Sequence, residues 1–369
     1  MGSAGEQGTP VALAGASSKG LMAGPVEPAR LALSTTGLNR VRQYEPRDLT
    51  ISVEAGVRWC ELARLLAANR QMVPLDPPFA DTATVGGVVA ANSSGPRRRL
   101  YGTARDFLIG MQVATLAGKL VQSGGMVVKN VAGLDMAKML AGSFGTLAAI
   151  AVVNFKVVPR PAAERTFLLP FDTAAEAVRV RDVVLKSVLQ PAAIDLLNPA
   201  AAEQLGLAGW VLALQAGGSP ALLDRYQREV AALGASQVRE GQEQAAFWRA
   251  VQEFTPRFLA GHPDGTVVRV SCPLAGLAAV SEAAPGALVA RAGSGVSYVH
   301  FAEAGEAAGW AGEAAARGWQ AVVEFAPEAR KASLELWPAP GGDLELMRRV
   351  KQMFDPKGLL NRGRLYGRI

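Results

Sequence analysis

The chain has 369 residues, half of them apolar and 19% charged, a composition that excludes a disordered protein and is long enough for two domains with separate cores. The net charge of +6 is mild and no long Lys/Arg tract accompanies it, which argues against nucleic acid and leaves room for an anionic ligand. No run of about 18 uninterrupted apolar residues could span a bilayer, the first residues lack a signal-peptide pattern and Glu6 breaks a myristoylation pattern, so the expected location is cytoplasmic, at the inner face of the membrane only through a partner.

Taken in chain order, the first part consists of short apolar runs punctuated by glycine: "VALAG", "LTISVEAG", "FLIGMQVATLAG" and "GTLAAIAVVNFKVV". They have strand length and turn-forming ends, and "RWCELARLLAANR" between them has helical spacing. The character changes at "VVPRPAAER", residues 157–165. Strand-like "TFLLPF", helical "AAEAVRVRDVVLKSVL", strands "AAIDLL" and "GWVLALQAG", helical "ALLDRYQREVAAL" and strand-like "SQVRE" follow, an order that predicts a β-α-β-β-α-β unit. A second, less regular set runs from "AAFWRAVQEF" to "GWQAVVEFAP", and after "WPAPGGD" come a closing helix and the polar tail "DPKGLLNRGRLYGRI". The tryptophans Trp210, Trp248, Trp310, Trp319 and Trp337 lie in this later region, where packing is the expected role.

The stretch "TVGGVVAANSSG", residues 84–95, holds no side chain larger than valine or asparagine. Small residues there either let helix and strand pack closely or leave main-chain N–H groups open to an anion. Three further stretches favour the anion. "AGASSKG", residues 14–20, supplies hydroxyls and Lys19 after a strand. "GPRRRLYGTARDF", residues 95–107, carries Arg97, Arg98, Arg99, Arg105 and Asp106. "KNVAGLDMAKMLAGSFGTLAAI", residues 129–150, ends in the turn Gly142 to Thr146. Four such turns predict a large, extended, phosphate-bearing cofactor. No GK[ST] closes a P-loop and no GxGxxG opens a helix, which excludes the usual nucleotide motifs. The run Arg97 to Arg99 is expected to neutralise phosphate, dock an acidic partner or sit in a solvated loop, and Lys129, Asn130 and Asp135 to order the turn before residue 142.

Cys60 and Cys272 form no CxxC pair, so the chain is expected to hold no iron–sulfur or zinc-thiolate centre. His262 and His300 are its only histidines. His262 lies in the turn-like "AGHPDG", and His300, ending the strand-like "SGVSYVHF", is a weak candidate for a catalytic base.

The ordered series "GASSKG", "LTISVEAGV", "DPPFADTATVGGVVAANSSGPRRRLYGTARDFLIG", "VKNVAGLDMAKMLAGSFGTLA" and "FDPKGLLNRGRLY" resembles the FAD-binding subunit of bacterial glycolate oxidase, within the flavoprotein superfamily of vanillyl-alcohol oxidase and p-cresol methylhydroxylase. The resemblance implies an α+β protein with a bipartite FAD-binding domain over residues 1–160, a ferredoxin-like cap over 161–337 and a C-terminal segment, 338–369, returning to the FAD domain. It implies FAD contacts from Gly15, Ser17, Ser18 and Lys19, from Thr84, Gly86 and Gly87, from Asn92, Gly95, Gly102 and Asp106, and from Gly142, Ser143, Gly145, Thr146 and Ile150. The chain departs from the family pattern at Ala16 and Ser17, at Leu134, at Ala148 or Ala149, and at Arg362, which predicts weaker FAD binding. Both histidines and Cys272 fall outside the implied loops and Cys60 sits in a helix-like segment, so the FAD is expected to be non-covalent.

The function implied is that of a glycolate oxidase subunit, oxidising glycolate or D-lactate to the 2-oxo acid and passing electrons through an iron–sulfur subunit. The family's catalytic subunit carries an HxGDGN-type segment, which this sequence lacks. That favours a structural or electron-carrying chain partnered by a homologous catalytic flavoprotein, inactive alone. A stand-alone FAD-dependent oxidoreductase, including one of the UDP-sugar type, is the more distant alternative.

Overall fold

The computed structural model describes residues 1–128, 135–367 and 369; Lys129, Asn130 and Leu134, singled out above, lie outside them. The chain divides into two compact units. The first comprises Met1–Ser94, Thr103–Arg160 and Ala339–Ile369, and the second Gly95–Gly102 and Pro161–Pro338.

In the first unit, β1 (Val11–Ala14) pairs in parallel with β2 (Leu31–Ser34). The strands that follow are β3 (Val41–Glu45), β4 (Thr50–Glu54), the short β5 (Gln71–Met72), β6 (Leu108–Ala114), β7 (Leu120–Gly124), β8 (Ala149–Lys156) and the short β9 (Val158–Pro159). β3, β4, β8, β6 and β7 lie side by side in that order, all antiparallel, and β5 pairs with β9. Every residue of β4 is buried, as expected of a β-branched strand covered on both faces. Trp59, Leu62 and Leu66 give the helix Trp59–Ala68 its buried face, and Trp59 meets Phe155 of β8 edge-on, with ring centroids 6.2 Å apart.

The tail completes this unit. Leu360 forms a parallel bridge with Val11, the Val11 N–H donates to Leu359 O at 2.8 Å, and the Asn361 N–H donates to Val11 O at 3.1 Å. The unpaired edge of β1 is thereby satisfied by residues about 350 positions away in sequence.

The second unit contains β10 (Ala163–Phe171), β11 (Ala193–Leu197), β12 (Trp210–Gly218), β13 (Gln237–Glu240), β14 (Thr266–Ser271), β15 (Ala287–Arg291), β16 (Val296–Phe301) and β17 (Gln320–Phe325). They form one sheet in the order β13-β10-β12-β11-β15-β16-β14-β17. The first four strands, with helices Ala174–Lys186 and Pro220–Ala231, make the predicted β-α-β-β-α-β unit. The second half, expected to be less regular, is the same unit again: β14 to β17 with helices Leu277–Glu282 and Ala304–Ala316 repeat the strand order, and β11 joins β15 at the junction. Its regularity escapes periodicity because the helix Leu277–Glu282 is only six residues long. One face of the sheet packs Phe167, Leu212, Val268 and Val299 against Val178, Tyr226, Val280 and Trp310 in a single core.

The arginine run proves to be part of this second unit rather than a solvated loop. Arg97 Nη2 lies 3.3 Å from Glu164 Oε1 and its Nε donates to Gln215 Oε1 at 3.4 Å. Arg99 donates to Pro191 O and Gln190 Oε1, both at 3.0 Å.

Candidate cofactor site

A cleft in the first unit offers about 250 Å³ to solvent and is bordered by the main chain of residues 12–20, by the helix Val85–Ala90, by the turn after Gly142 and by the C-terminal tail. The loop after β1 turns sharply at Ser17, whose φ is +55°, and is closed by hydrogen bonds from Gly20 N to Ser17 O and Met22 N to Lys19 O, both 3.0 Å. Lys19 is 9% exposed, with its ammonium 5.7 Å from the centre of the Phe79 ring.

The small residues divide into two roles. Thr84 caps the helix Val85–Ala90, accepting from Gly87 N at 3.3 Å. A Cβ on Gly15 would stand 2.3 Å from Thr84 Oγ1, and one on Gly86 would stand 2.8 Å from Ala55 Cβ and 3.0 Å from Ala55 O. Those two glycines permit close packing. A Cβ on Gly87 would meet only Thr84 Oγ1, at 3.2 Å, and Gly87 borders the cleft.

The turn from Gly142 to Thr146 docks on the end of the same helix. Gly142 N donates to Val89 O and Phe144 N to Ala90 O, at 3.1 and 2.9 Å, and Gly142, Phe144 and Gly145 all have positive φ. Ser143 Oγ and Asn92 Oδ1 are buried with no hydrogen-bond partner, an arrangement that calls for a ligand or water. Gly15, Ser17, Ser18, Lys19, Thr84, Gly86, Gly87, Gly145 and Ile150 border the cleft. Gly142, Ser143 and Thr146 belong to its turn, and Asn92 adjoins Gly142, whose Cβ would lie 3.5 Å from Asn92 Cβ. Asp106 does not border it: its carboxylate accepts from Thr103 N at 2.8 Å in a capping box. Gly95 and Gly102 belong to the second unit. Asp135 pairs with Lys138 at 3.1 Å.

Two tail residues on the cleft were not singled out by the sequence. Asn361 accepts from Leu13 N at 2.7 Å through Oδ1 and donates through Nδ2 to Leu13 O at 3.0 Å and Phe144 O at 2.8 Å; its side chain fastens β1, the turn and the tail together. Arg364 donates to Lys19 O and Gly24 O, both at 3.2 Å, with its guanidinium 5.9 Å from the centre of the Phe144 ring. Behind them Lys351 Nζ donates to Asp355 Oδ2 and Thr146 O, both 2.7 Å, and to Leu360 O at 3.0 Å. Burial pulls the Lys351 ammonium below its usual range, with Asp355 opposing. The signal for Asp355, Asn361 and Arg364 was the run "FDPKGLLNRGRLY", whose polar residues flank buried Leu359 and Leu360. Two cations, bare main-chain amides and a largely apolar wall suit an anionic group joined to a flat ring.

Neither histidine is among the residues that border this cleft. His300 is 2% exposed. Its Nδ1 lies 2.9 Å from Ala287 O and its Nε2 2.9 Å from Thr255 Oγ1; a carbonyl only accepts, so Nδ1 carries the proton and Nε2 accepts from the threonine. Both ring nitrogens are thus engaged, between Phe254 and Phe258. Burial lowers its pKa to about 4, the Ala287 hydrogen bond opposing and the Arg291 charge assisting. The unfolded imidazole takes up a proton near 6.5, the folded one only near 4, so stability is fully present above 6.5 and falls as pH drops towards 4. A loss on the order of 3 kcal/mol is expected across that window. Denaturant titrations of the parent and His300→Gln at both ends check this, the variant showing the shallower slope. His262 stacks on Phe258, its Nδ1 2.9 Å from Phe258 O.

Residues 1–124 match the FAD binding domain, and residues 338–365 match the C-terminal domain of FAD-linked oxidases. The cofactor is FAD. The chain is 36% identical over 156 residues to glycolate oxidase subunit GlcE of Escherichia coli (strain K12), covering 42% of this chain and 44% of that protein. It is 31% identical over 169 residues to glycolate oxidase subunit GlcD of Bacillus subtilis (strain 168), covering 46% and 36%. It is 29% identical over 194 residues to a D-lactate dehydrogenase of Anaerostipes hadrus, covering 52% and 40%. The match spans less than half the length of each of these relatives. Among solved structures, substrate-bound p-cresol methylhydroxylase aligns with 99% of this chain and 85% of its own, with a TM-score of 0.76 at 15% identity. The fold is therefore that of the p-cresol methylhydroxylase-type FAD proteins. No helix among the described residues is long and apolar enough to cross a membrane. No histidine or cysteine borders the cleft, so acid precipitation is expected to release all the FAD into the supernatant; yellow colour retained by the denatured chain would contradict this.

Proposed function

We propose that this chain is the FAD-binding subunit of a multi-subunit oxidoreductase that converts glycolate or D-lactate to the 2-oxo acid, with FAD held in the cleft of the first unit. One observation carries the reading. Most of the cleft's lining comes from the stretch that matches the FAD binding domain, and Asn361 and Arg364 come from the stretch that matches the FAD-linked oxidase C-terminal domain, while relatives matching this chain are named glycolate oxidase subunits and D-lactate dehydrogenases.

In this reading the amides of residues 15–18, with the charges of Lys19 and Arg364, receive the pyrophosphate, Gly87 leaves the approach open, and Ser143 and Asn92 offer their unpartnered oxygens to the polar atoms beyond it. Bound FAD supplies a two-electron acceptor for the carbon that bears the substrate hydroxyl. The tail contributes Asn361 and Arg364 to the wall of the cleft. Cys60 and Cys272 are too few to ligate an iron–sulfur cluster, so in this reading electrons leave through an iron–sulfur subunit, beside a homologous catalytic flavoprotein. Two unpaired thiols suit the cytoplasm.

A second reading, a structural or electron-carrying subunit with no oxidation of its own, is favoured by the full engagement of His300. The test is co-expression with a homologous flavoprotein and an iron–sulfur protein, followed by dye-linked oxidation of glycolate and D-lactate by the single chain and by the assembly. The first reading expects co-purification and an activity that falls when this chain alone loses its FAD. Activity that persists without that FAD moves the chain to the second reading, and assemblies inert towards both acids overturn the first.

A further inference from the structure

The part of the cleft's border that carries Lys19, Gly20, Val26, Asn361 and Arg364 is built differently from the rest. Elsewhere the border rests on the helix Val85–Ala90, whose Val85, Val88 and Val89 are fully buried, and on β8 through Ile150. Here it is a ribbon of two irregular segments, residues 19–28 and the tail residues 361–365. Residues 23–30 belong to no helix or strand.

The two segments are fastened to each other. Gly24 N donates to Arg364 O at 3.0 Å and Glu27 N to Arg362 O at 2.9 Å. The Arg364 guanidinium donates back to Lys19 O and Gly24 O, both at 3.2 Å, and Arg362 Nη2 stands 3.2 Å from Glu27 Oε2. The backbones lie so close that a Cβ on Gly24 would stand 2.7 Å from Gly363 O and 3.0 Å from Arg364 O. Met22, Ala23 and Leu365 are buried, but the Glu27 and Arg362 side chains remain 55% and 37% exposed. Hydrogen bonds and an exposed ion pair therefore hold the outer part of the ribbon with little apolar burial, and such segments open locally at far lower cost than a core.

Lys19 and Arg364 stand on opposite segments, so an anion held by both joins the two halves of the ribbon. We propose that residues 19–28 and 361–365 form a gate that parts to let FAD in and out of the cleft, with the Glu27–Arg362 pair as its outer fastening. This rests on the reading that the cleft receives FAD. Neither Glu27 nor Arg362 borders the cleft, so the pair acts on how often the gate opens and not on contacts with the cofactor. Weakening it speeds uptake and release by the same factor, whereas loss of a contact with FAD speeds release alone.

The test follows the flavin fluorescence of the full-length chain during FAD uptake and during release on dilution. Glu27→Arg and Arg362→Glu each set like charges against each other and should speed both steps about threefold, the scale of an exposed ion pair. The double exchange, Glu27→Arg with Arg362→Glu, restores opposite charges and should return both rates to those of the parent. Gly24→Ala wedges a methyl group between the segments and should speed both steps about tenfold. Amide hydrogen exchange within residues 20–30 should rise in the same order. The decision rests on the charge exchanges, which lie at exposed positions and leave the core untouched. Rates unmoved by the single exchanges, release that quickens without uptake, or a double exchange that restores neither rate overturns the gate and leaves FAD in the cleft. A chain that takes up no FAD overturns the proposed function and the gate with it.

Discussion

Gly87→Val is expected to give a soluble, folded chain that has lost most of its FAD. A Cβ at this position meets only Thr84 Oγ1, at 3.2 Å, so the helix Val85–Ala90 can accept it, and the branches beyond it project where the main chain borders the cleft. Blocking the close approach of an anion to the cleft here should weaken FAD by about 100-fold, the equivalent of roughly 3 kcal/mol. The neighbouring glycines supply the contrast. Valine at Gly86 collides with Ala55 and at Gly15 with Thr84, so those chains should misfold rather than simply lose cofactor. Flavin absorbance per protein and a fluorescence titration with FAD measure the difference. A Gly87→Val chain that binds FAD like its parent removes this cleft as the phosphate site.

Asp355→Ala should be the most damaging single change in the tail. The Asp355 carboxylate is buried, accepts from Leu359 N at 2.9 Å and Leu360 N at 2.7 Å, and holds the Lys351 ammonium at 2.7 Å. Alanine leaves two backbone donors and a largely buried cation without their acceptor, a loss of about 3–5 kcal/mol. Leu359 and Leu360 are the residues that meet Val11, so the tail should loosen from β1 and FAD retention should fall with stability. Asn361→Ala tests the next link. It removes the bonds to Leu13 and Phe144 but strands no charge, so a smaller stability loss of about 1–3 kcal/mol should accompany a comparable loss of FAD. Denaturant midpoints and flavin content decide this, and an Asp355→Ala chain within about 1 kcal/mol of the parent would show that the tail is held by something else.

Local chemistry was enough for several features. Glycine, serine and alanine clustered at strand ends between residues 14 and 150 mark main chain that something approaches closely, because absence of bulk is a property of each residue by itself. The same holds for the first β-α-β-β-α-β unit, whose strands and helices each show their own period. Which glycine packs and which borders the cleft was not legible: Gly86 and Gly87 are adjacent and chemically identical, and only the position of Ala55 on the neighbouring chain separates them. Asp106 illustrates the converse, since its capping box with Thr103 shows only once the helix Ala104–Phe107 is in place.

A row of polar and charged residues across the second unit's sheet, with Asp195 opposite Arg291 and Tyr298 opposite Arg269, lay furthest from view. Asp195, Arg269, Arg291, Tyr298 and Glu324 are scattered over some 130 residues, each a polar position in a strand rich in apolar residues, and no motif connects them. They converge because two copies of one supersecondary unit share a sheet through β11 and β15, and strand register is a long-range property. Composition and spacing along the chain therefore determined which small-residue turns border the candidate cleft and how the first half of the second unit is built. The pairing of strands distant in sequence decided what surrounds His300, what the arginines face and how the tail holds β1, because hydrogen bonds and ion pairs form between groups that only the folded chain brings within a few ångströms.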